Sequence, residues 1–208
     1  LTHQVRQVEW IETGGELGAL LLESRLVKEL SPTGNRRLRR HAGDCVVRLR
    51  QDGQGLRPEV VPIENADLGL DADPVFGPFR AEKDAWRAIE GKAQEAGLCL
   101  KTLGLETGAG SCFAYQVRKC RGACIGTEPR ALHDARLQMT LVPLKFKPWP
   151  FAGAIGIREP APAATGVQIH VIDRWRHLGT ARDEEEVQAL LCAARDAAFD
   201  ADNYRIIG

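Results

Sequence analysis

The sequence predicts an α+β chain, with a Cys-rich helical segment and a strand-rich C-terminal part. Three observations carry this. Amphipathic 3.6-residue patterns recur at three places before residue 140. Short alternating apolar runs bounded by Gly, Pro and Asp dominate after it. Four of the six cysteines crowd into residues 99–124.

Taking the elements in order, Val5, Val8, Trp10 and Ile11 suggest a short strand. Thr13-Gly14-Gly15-Glu16 then fits a capping box that opens a helix ending near Ser31-Pro32. Cys45 to Leu49 and Val60 to Ile63 read as strands joined by the turn-rich Gln51-Asp52-Gly53-Gln54-Gly55, a hairpin. Phe76-Gly77-Pro78-Phe79 punctuates the chain, and Ala81 to Ala96 is a second helix. Ala131 to Met139 is also helical. Leu141 to Phe146, Gly153 to Ile157 and Val167 to Trp175 alternate like sheet, with Pro160-Ala161-Pro162 as a loop, and Glu184 to Ala194 is the last helix. The expected divisions are 1–40, 41–139 and 140–208.

Composition excludes some classes of function and leaves others open. At 208 residues and 44% hydrophobic content the chain can bury a core. Its 28 basic and 28 acidic residues cancel, so no net field announces a nucleic-acid or membrane partner. Locally, Arg25, Lys28, Arg36, Arg37, Arg39, Arg40, Arg48 and Arg50 make one stretch basic, and Asp183 to Glu186 with Asp196, Asp200 and Asp202 make the tail acidic. No apolar run approaches the ~20 residues that span a bilayer, and the N-terminus has no signal-peptide order. No membrane association and a cytoplasmic location are expected, where thiols stay reduced and serve as ligands rather than disulfides. The chain opens on Leu1 and its sole methionine is Met139, from which a fragment of a longer protein is expected.

Cys99, Cys112, Cys120 and Cys124 are separated by twelve, seven and three residues, among Gly108, Gly110, Gly122 and Gly126. Four thiolates satisfy tetrahedral zinc or the corner irons of a cubane cluster, and spacing does not choose between them. Buried apolar cysteine is the plainer alternative, which suits Cys45 and Cys192 better than this glycine-rich basic segment.

On a helical wheel of about 100° per residue, Glu23 falls in the arc of Ala19, Leu20, Leu22, Leu26, Val27 and Leu30. A carboxylate there needs a cation, and an arginine partner is favoured over a metal. Asn35 reads as a turn residue. Arg36, Arg37, Arg39 and Arg40 are a solvated charge run or, in the sharper reading, phosphate contacts, and Arg118, Lys119 and Arg121 add charge beside the cysteines. Arg174-Trp175-Arg176-His177 could stack on bases, but its alternation favours an ordinary strand.

Several of these segments, in order, resemble the UvrC/Cho-type GIY-YIG excinucleases of bacterial nucleotide excision repair. Residues 12–23, Glu-Thr-Gly-Gly-Glu-Leu-Gly-Ala-Leu-Leu-Leu-Glu, are similar to the family's terminal nuclease helix, and residues 31–39 to the segment after it. Phe76-Gly77-Pro78-Phe79 resembles its FGP turn, and Cys112 to Cys124 its cysteine-rich segment. The tail, with residues 169–175 and 199–204, resembles the Cho branch more than the UvrC branch. The resemblance implies that residues 1–40 are the end of a GIY-YIG nuclease domain. It makes Glu23 the single carboxylate for a catalytic Mg or Mn ion, Asn35 an active-site support, and the four cysteines ligands of a [4Fe-4S] cluster, with zinc as the alternative. It also implies double-stranded damaged DNA as substrate, incision on the 3′ side of a lesion, a place in SOS-linked repair and contacts with other excision-repair proteins. In such enzymes a tyrosine and the metal activate water, yet the only tyrosines here, Tyr115 and Tyr204, lie in no GIY or YIG triplet. The chain alone is therefore expected not to cut DNA, its missing half in the parent being a nuclease portion that can be joined to an exonuclease. The rival expectations are a non-enzymatic zinc-stabilised DNA-binding module and a domain whose metal only replaces core.

Overall fold

In this computed structural model the described residues are 5–33, 44–69, 71–160, 166–194 and 198–208. In chain order the elements are α1 (Glu16–Leu30), β1 (Cys45–Asp52), β2 (Gly55–Pro62), β3 (Val75–Phe79), α2 (Glu82–Glu95), α3 (Phe113–Gln116), α4 (Arg130–Leu141), β4 (Ile155–Pro160), β5 (Val167–Asp173), β6 (Arg176–Ala181), α5 (Glu184–Ala193) and α6 (Ala201–Ile207). The α+β class holds. The chain divides into two units, one of residues 41–150 and one that joins 1–40 with 151–208.

The unit of residues 41–150 is built on the expected hairpin. Asp52 pairs with Gly55 at its tip, where the Asp52 carboxylate accepts the Gln54 amide and Gly55 takes φ 126°, open to glycine alone. β3 joins the other side of β1, giving the antiparallel order β2-β1-β3. Phe76-Gly77-Pro78-Phe79, read as a turn, is thus an edge strand, where a proline lacking an N–H costs no ladder bond. Helix α2 lays Ala85, Ile89 and Ala93, four residues apart, against the sheet, and α4 contributes Leu137 and Leu141 to the same core with Cys45, Val47 and Phe76. A Leu137→Ala change here costs about 2–5 kcal/mol. The expected strand at Leu141 to Phe146 does not form. Pro143 cannot donate to a ladder, α4 runs on to Leu141, and a 3-10 turn of Val142–Leu144 follows, leaving a lone bridge between Phe76 and Lys145.

The other unit carries the antiparallel sheet β4-β5-β6 together with α1, α5 and α6. The capping box expected at Thr13 is absent. Gly15 is the N-cap, Glu16 is the first helical residue, and the cap comes from Glu159 on β4, which accepts the amides of Leu17 (3.1 Å) and Gly18 (2.8 Å). Gln168 on β5 accepts the Gly14 amide at 2.9 Å. At the other end of α1, Lys28 pairs with Asp200 and Asp202 around the start of α6. Residues 5–13 form no strand among the described residues, and Val5, Val8, Trp10 and Ile11 are exposed.

Candidate metal centre and nucleic-acid interface

The cysteine segment folds around its thiols through short turns. Cys99 follows α2, and Cys112 sits before the single turn of α3. That turn closes with the Arg118 amide on the Tyr115 carbonyl and the Lys119 amide on the Ala114 carbonyl, Arg118 holding the left-handed position at φ 59°. Gly122 (φ 80°) lies so close to the Tyr115 ring that a Cβ would stand 2.7 Å from it, which explains a glycine between Cys120 and Cys124. The inner side of this segment presents Ala114, Tyr115, Ala123 and the four cysteines to one another.

The Sγ atoms of Cys99, Cys112 and Cys124 lie within 4.8 Å of one another, with Cys99 and Cys112 at 3.7 Å. Cys120 packs in the same buried cluster, its thiol interacting with Cys112 and Cys99, but stands outside that mutual spacing. Backbone amides already point at sulfur, Cys112 N to Cys124 at 3.4 Å and Gly122 N to Cys120 at 3.3 Å, as thiolate charge requires. Burial pushes Cys112 and Cys124 up to about 11 and raises Cys120 as well. At Cys99 burial acts in the same direction, but donors from Thr102 and Cys124 outweigh it and bring the thiol down to about 7. Thiolates this close repel one another and a cation among them relieves that repulsion, so the donor set suits one. With Zn–S bonds of about 2.3 Å, sulfurs on a tetrahedral zinc stand about 3.8 Å apart. The 3.7 Å pair matches that edge, whereas a cubane needs the thiols farther apart because each binds a separate iron.

Sequence reasoning missed His133. It is fully buried on α4, nine residues after Cys124, and its Nε2 accepts the Cys99 amide at 3.1 Å. Burial lowers its basicity, keeping the ring neutral and able to accept. The available signal was a histidine on the apolar stripe of the helix after the cysteines, in line with Leu137 and Leu141. Arg136 is a second missed support, pairing with the buried Glu128 and donating to the carbonyls of Ala96 and Gly97 just before Cys99.

Arg118, Lys119 and Arg121 are exposed on the outer side of the segment, with no ion-pair partner among the described residues. Asn35, Arg36, Arg37, Arg39 and Arg40 lie outside the described residues. Glu23 corrects the helical-wheel reading. The buried stripe of α1 is Gly18, Leu21, Ser24 and Val27, so Glu23 is exposed and makes no hydrogen bond or ion pair among the described residues. Ser24 can take the buried place because its hydroxyl accepts from Lys28 at 2.8 Å. No other group of three or more candidate metal ligands accompanies the cysteines among the described residues, and no described helix is long and apolar enough to cross a membrane.

Comparison with known proteins adds a second line of evidence. The family model of the UvrC/Cho excinuclease middle domain matches residues 46–142, and that of the excinuclease Cho C-terminal domain matches residues 154–208. The chain is 37% identical to excinuclease Cho of Salmonella typhi over 209 aligned residues, covering all of this chain and 68% of that protein, with the same figures for excinuclease Cho of Escherichia coli K12. UvrABC system protein C of Nitrobacter winogradskyi is 32% identical over 122 residues, 57% of this chain and 17% of that protein. No solved structure matches the chain.

Proposed function

Because the chain belongs to the UvrC/Cho excinuclease family, homologous to endonucleases of nucleotide excision repair, we propose that it supplies the DNA-binding surface and part of the active site for incision of damaged duplex DNA on the 3′ side of the lesion, in the cytoplasm. The observation that carries this reading is the two-sided cysteine segment. Its inner side gathers four thiols, and its outer side exposes Arg118, Lys119 and Arg121, cations that suit a phosphate backbone. In this reading Cys99, Cys112, Cys120 and Cys124 would hold a [4Fe-4S] cluster, the centre that the resemblance favours, which requires the thiols to spread from the 3.7 Å spacing so that each binds its own iron, and the bound centre would supply a rigid crosslink where the segment has little core of its own. His133 and Arg136 fix the backbone around Cys99 for that purpose. Arg36, Arg37, Arg39 and Arg40 extend the phosphate contacts, and Asn35 supports the nuclease site. Glu23 is the carboxylate offered to a catalytic Mg or Mn ion, whose chemistry is to polarise the phosphodiester and its attacking water. Exposure of Glu23 leaves that carboxylate accessible.

A second reading is a non-enzymatic zinc-stabilised DNA-binding module, favoured by the 3.7 Å separation of the Cys99 and Cys112 sulfurs. Anaerobic purification with visible absorbance and metal analysis separates the two, iron with a visible shoulder supporting the first and zinc alone the second. Incubation with damaged duplex and magnesium tests the nuclease assignment. The chain, which holds no GIY or YIG triplet, is expected to bind and not cut, and cleavage that survives Glu23→Ala contradicts the role given to Glu23.

A further inference from the structure

The outer side of the cysteine segment is apolar as well as basic. Phe113 is 68% exposed, Val117 45% and Ile125 46%, although Phe113 and Ile125 directly follow Cys112 and Cys124 of the thiol cluster. Phe113 and Val117 are one helical turn apart, the Val117 amide bonding to the Phe113 carbonyl at 3.2 Å, so both lie on the side of α3 away from Ala114 and Tyr115. The Phe113 backbone is held twice, by Cys112 before it and by the Glu106 carboxylate, which accepts its amide at 2.9 Å. An aromatic side chain on so fixed a backbone loses little entropy on binding. Arg118, directly after Val117, is exposed and occupies a left-handed backbone position that favours glycine. The nearby acids are engaged, Glu106 by the Phe113 amide and Glu128 by Arg136, which leaves the surface basic.

Resting on the DNA-binding reading above, we propose that Phe113, backed by Val117, is a wedge that inserts at or stacks on an unstacked base, while Arg118, Lys119 and Arg121 hold the flanking phosphates. Cations at the rim of an apolar tip match a duplex whose phosphates remain in place where stacking has been lost. Intact duplex offers the cations the same phosphates but gives the ring no place to enter, so the ring confers a preference for distorted DNA.

The test measures anisotropy of the full chain with two labelled 30-base-pair duplexes at one salt concentration, one fully paired and one with a central three-base mismatch bubble. The wild-type chain is expected to bind the bubble about tenfold more tightly. Phe113→Ala should remove that preference while leaving affinity for the paired duplex unchanged, and Phe113→Trp should restore it. An Arg118→Gln, Lys119→Gln, Arg121→Gln triple variant should weaken both. 2-Aminopurine in the bubble should change fluorescence with the wild type and not with Phe113→Ala, a readout that a merely destabilised fold would not give alongside normal duplex binding. If Phe113→Ala retains the preference, or the wild type has none, the wedge is wrong although the DNA-binding reading stands. If the wild type binds neither duplex, that reading fails and the wedge with it.

Discussion

Glu159 Oε2 lies 2.9 Å from His170 Nε2, and the same carboxylate accepts the amides of Leu17 and Gly18 at the start of α1. His170, itself buried, turns its Nδ1 to Thr180 Oγ1 at 2.9 Å. One side chain of β4 therefore caps the helix that carries Glu23 and anchors it to β5 and β6.

Removing that cap should be costly. Glu159→Ala deletes charge-assisted bonds to two helix amides and an imidazole and should destabilise this unit by about 2 kcal/mol, read by urea denaturation. Burial alone would raise the Glu159 carboxyl, but the Gly18 amide and His170 outweigh it and hold the group below the usual carboxylate range. Its stabilisation is thus complete above the unfolded pKa of about 4.3 and is lost as pH falls through the lower folded value. Glu159→Gln should flatten the acid side of the stability curve, and parallel curves for the two proteins would contradict the assignment.

His177 gives a second pH signature at higher pH. Burial, and then the neighbouring His170, bring its pKa down to about 4. Between about 4 and the unfolded value near 6.5 the unfolded chain binds a proton that the folded chain does not, so stability falls as pH drops through that window. His177→Gln should remove this slope, and ring-proton NMR should show His177 neutral at pH 6.

His133 should matter to the cysteine centre without being a ligand. His133→Leu leaves the buried Cys99 amide without its acceptor, a loss of about 1–3 kcal/mol. His133→Gln can keep an acceptor there and should be milder. Metal retention in a chelator series is the readout, with His133→Leu releasing metal first.

The three exposed cations of the cysteine segment should govern salt dependence. Replacing Arg118, Lys119 and Arg121 by glutamine should lower the slope of log K against log salt by about 2.7 if each meets one duplex phosphate. An unchanged slope in a salt titration of duplex binding would place the DNA interface elsewhere.

The parts legible in the sequence are those where the cause is local. The 45–62 hairpin announces itself through Asp52, Gly53 and Gly55, α2 through Ala85, Ile89 and Ala93, and the buried thiol cluster through four closely spaced cysteines. What escaped has a distant cause. Helix α1 is capped from Glu159, 142 residues away, so the local Thr13 to Glu16 pattern misled. The β5-β6 hairpin turns on Arg174 and Trp175, at φ 48° and 65°, residues that carry no turn signal. Trp175 instead anchors that turn by packing edge-on against Tyr204 at 5.3 Å, and α6, on which Tyr204 sits, was itself unread, although Asp200 caps it with bonds to the Asp202 and Asn203 amides. Glu23 was misplaced because Ser24, satisfied by Lys28, is buried where periodicity calls for an apolar residue.

Whether Cys99, Cys112, Cys120 and Cys124 share one metal centre is decided by metal and sulfide analysis of anaerobically prepared protein. About four iron and four sulfide per chain with a visible absorbance shoulder are expected, all lost in Cys99→Ser and in Cys112→Ser. Zinc alone would contradict the iron–sulfur assignment, and a folded, metal-free chain with four titratable thiols in this segment would contradict the centre itself.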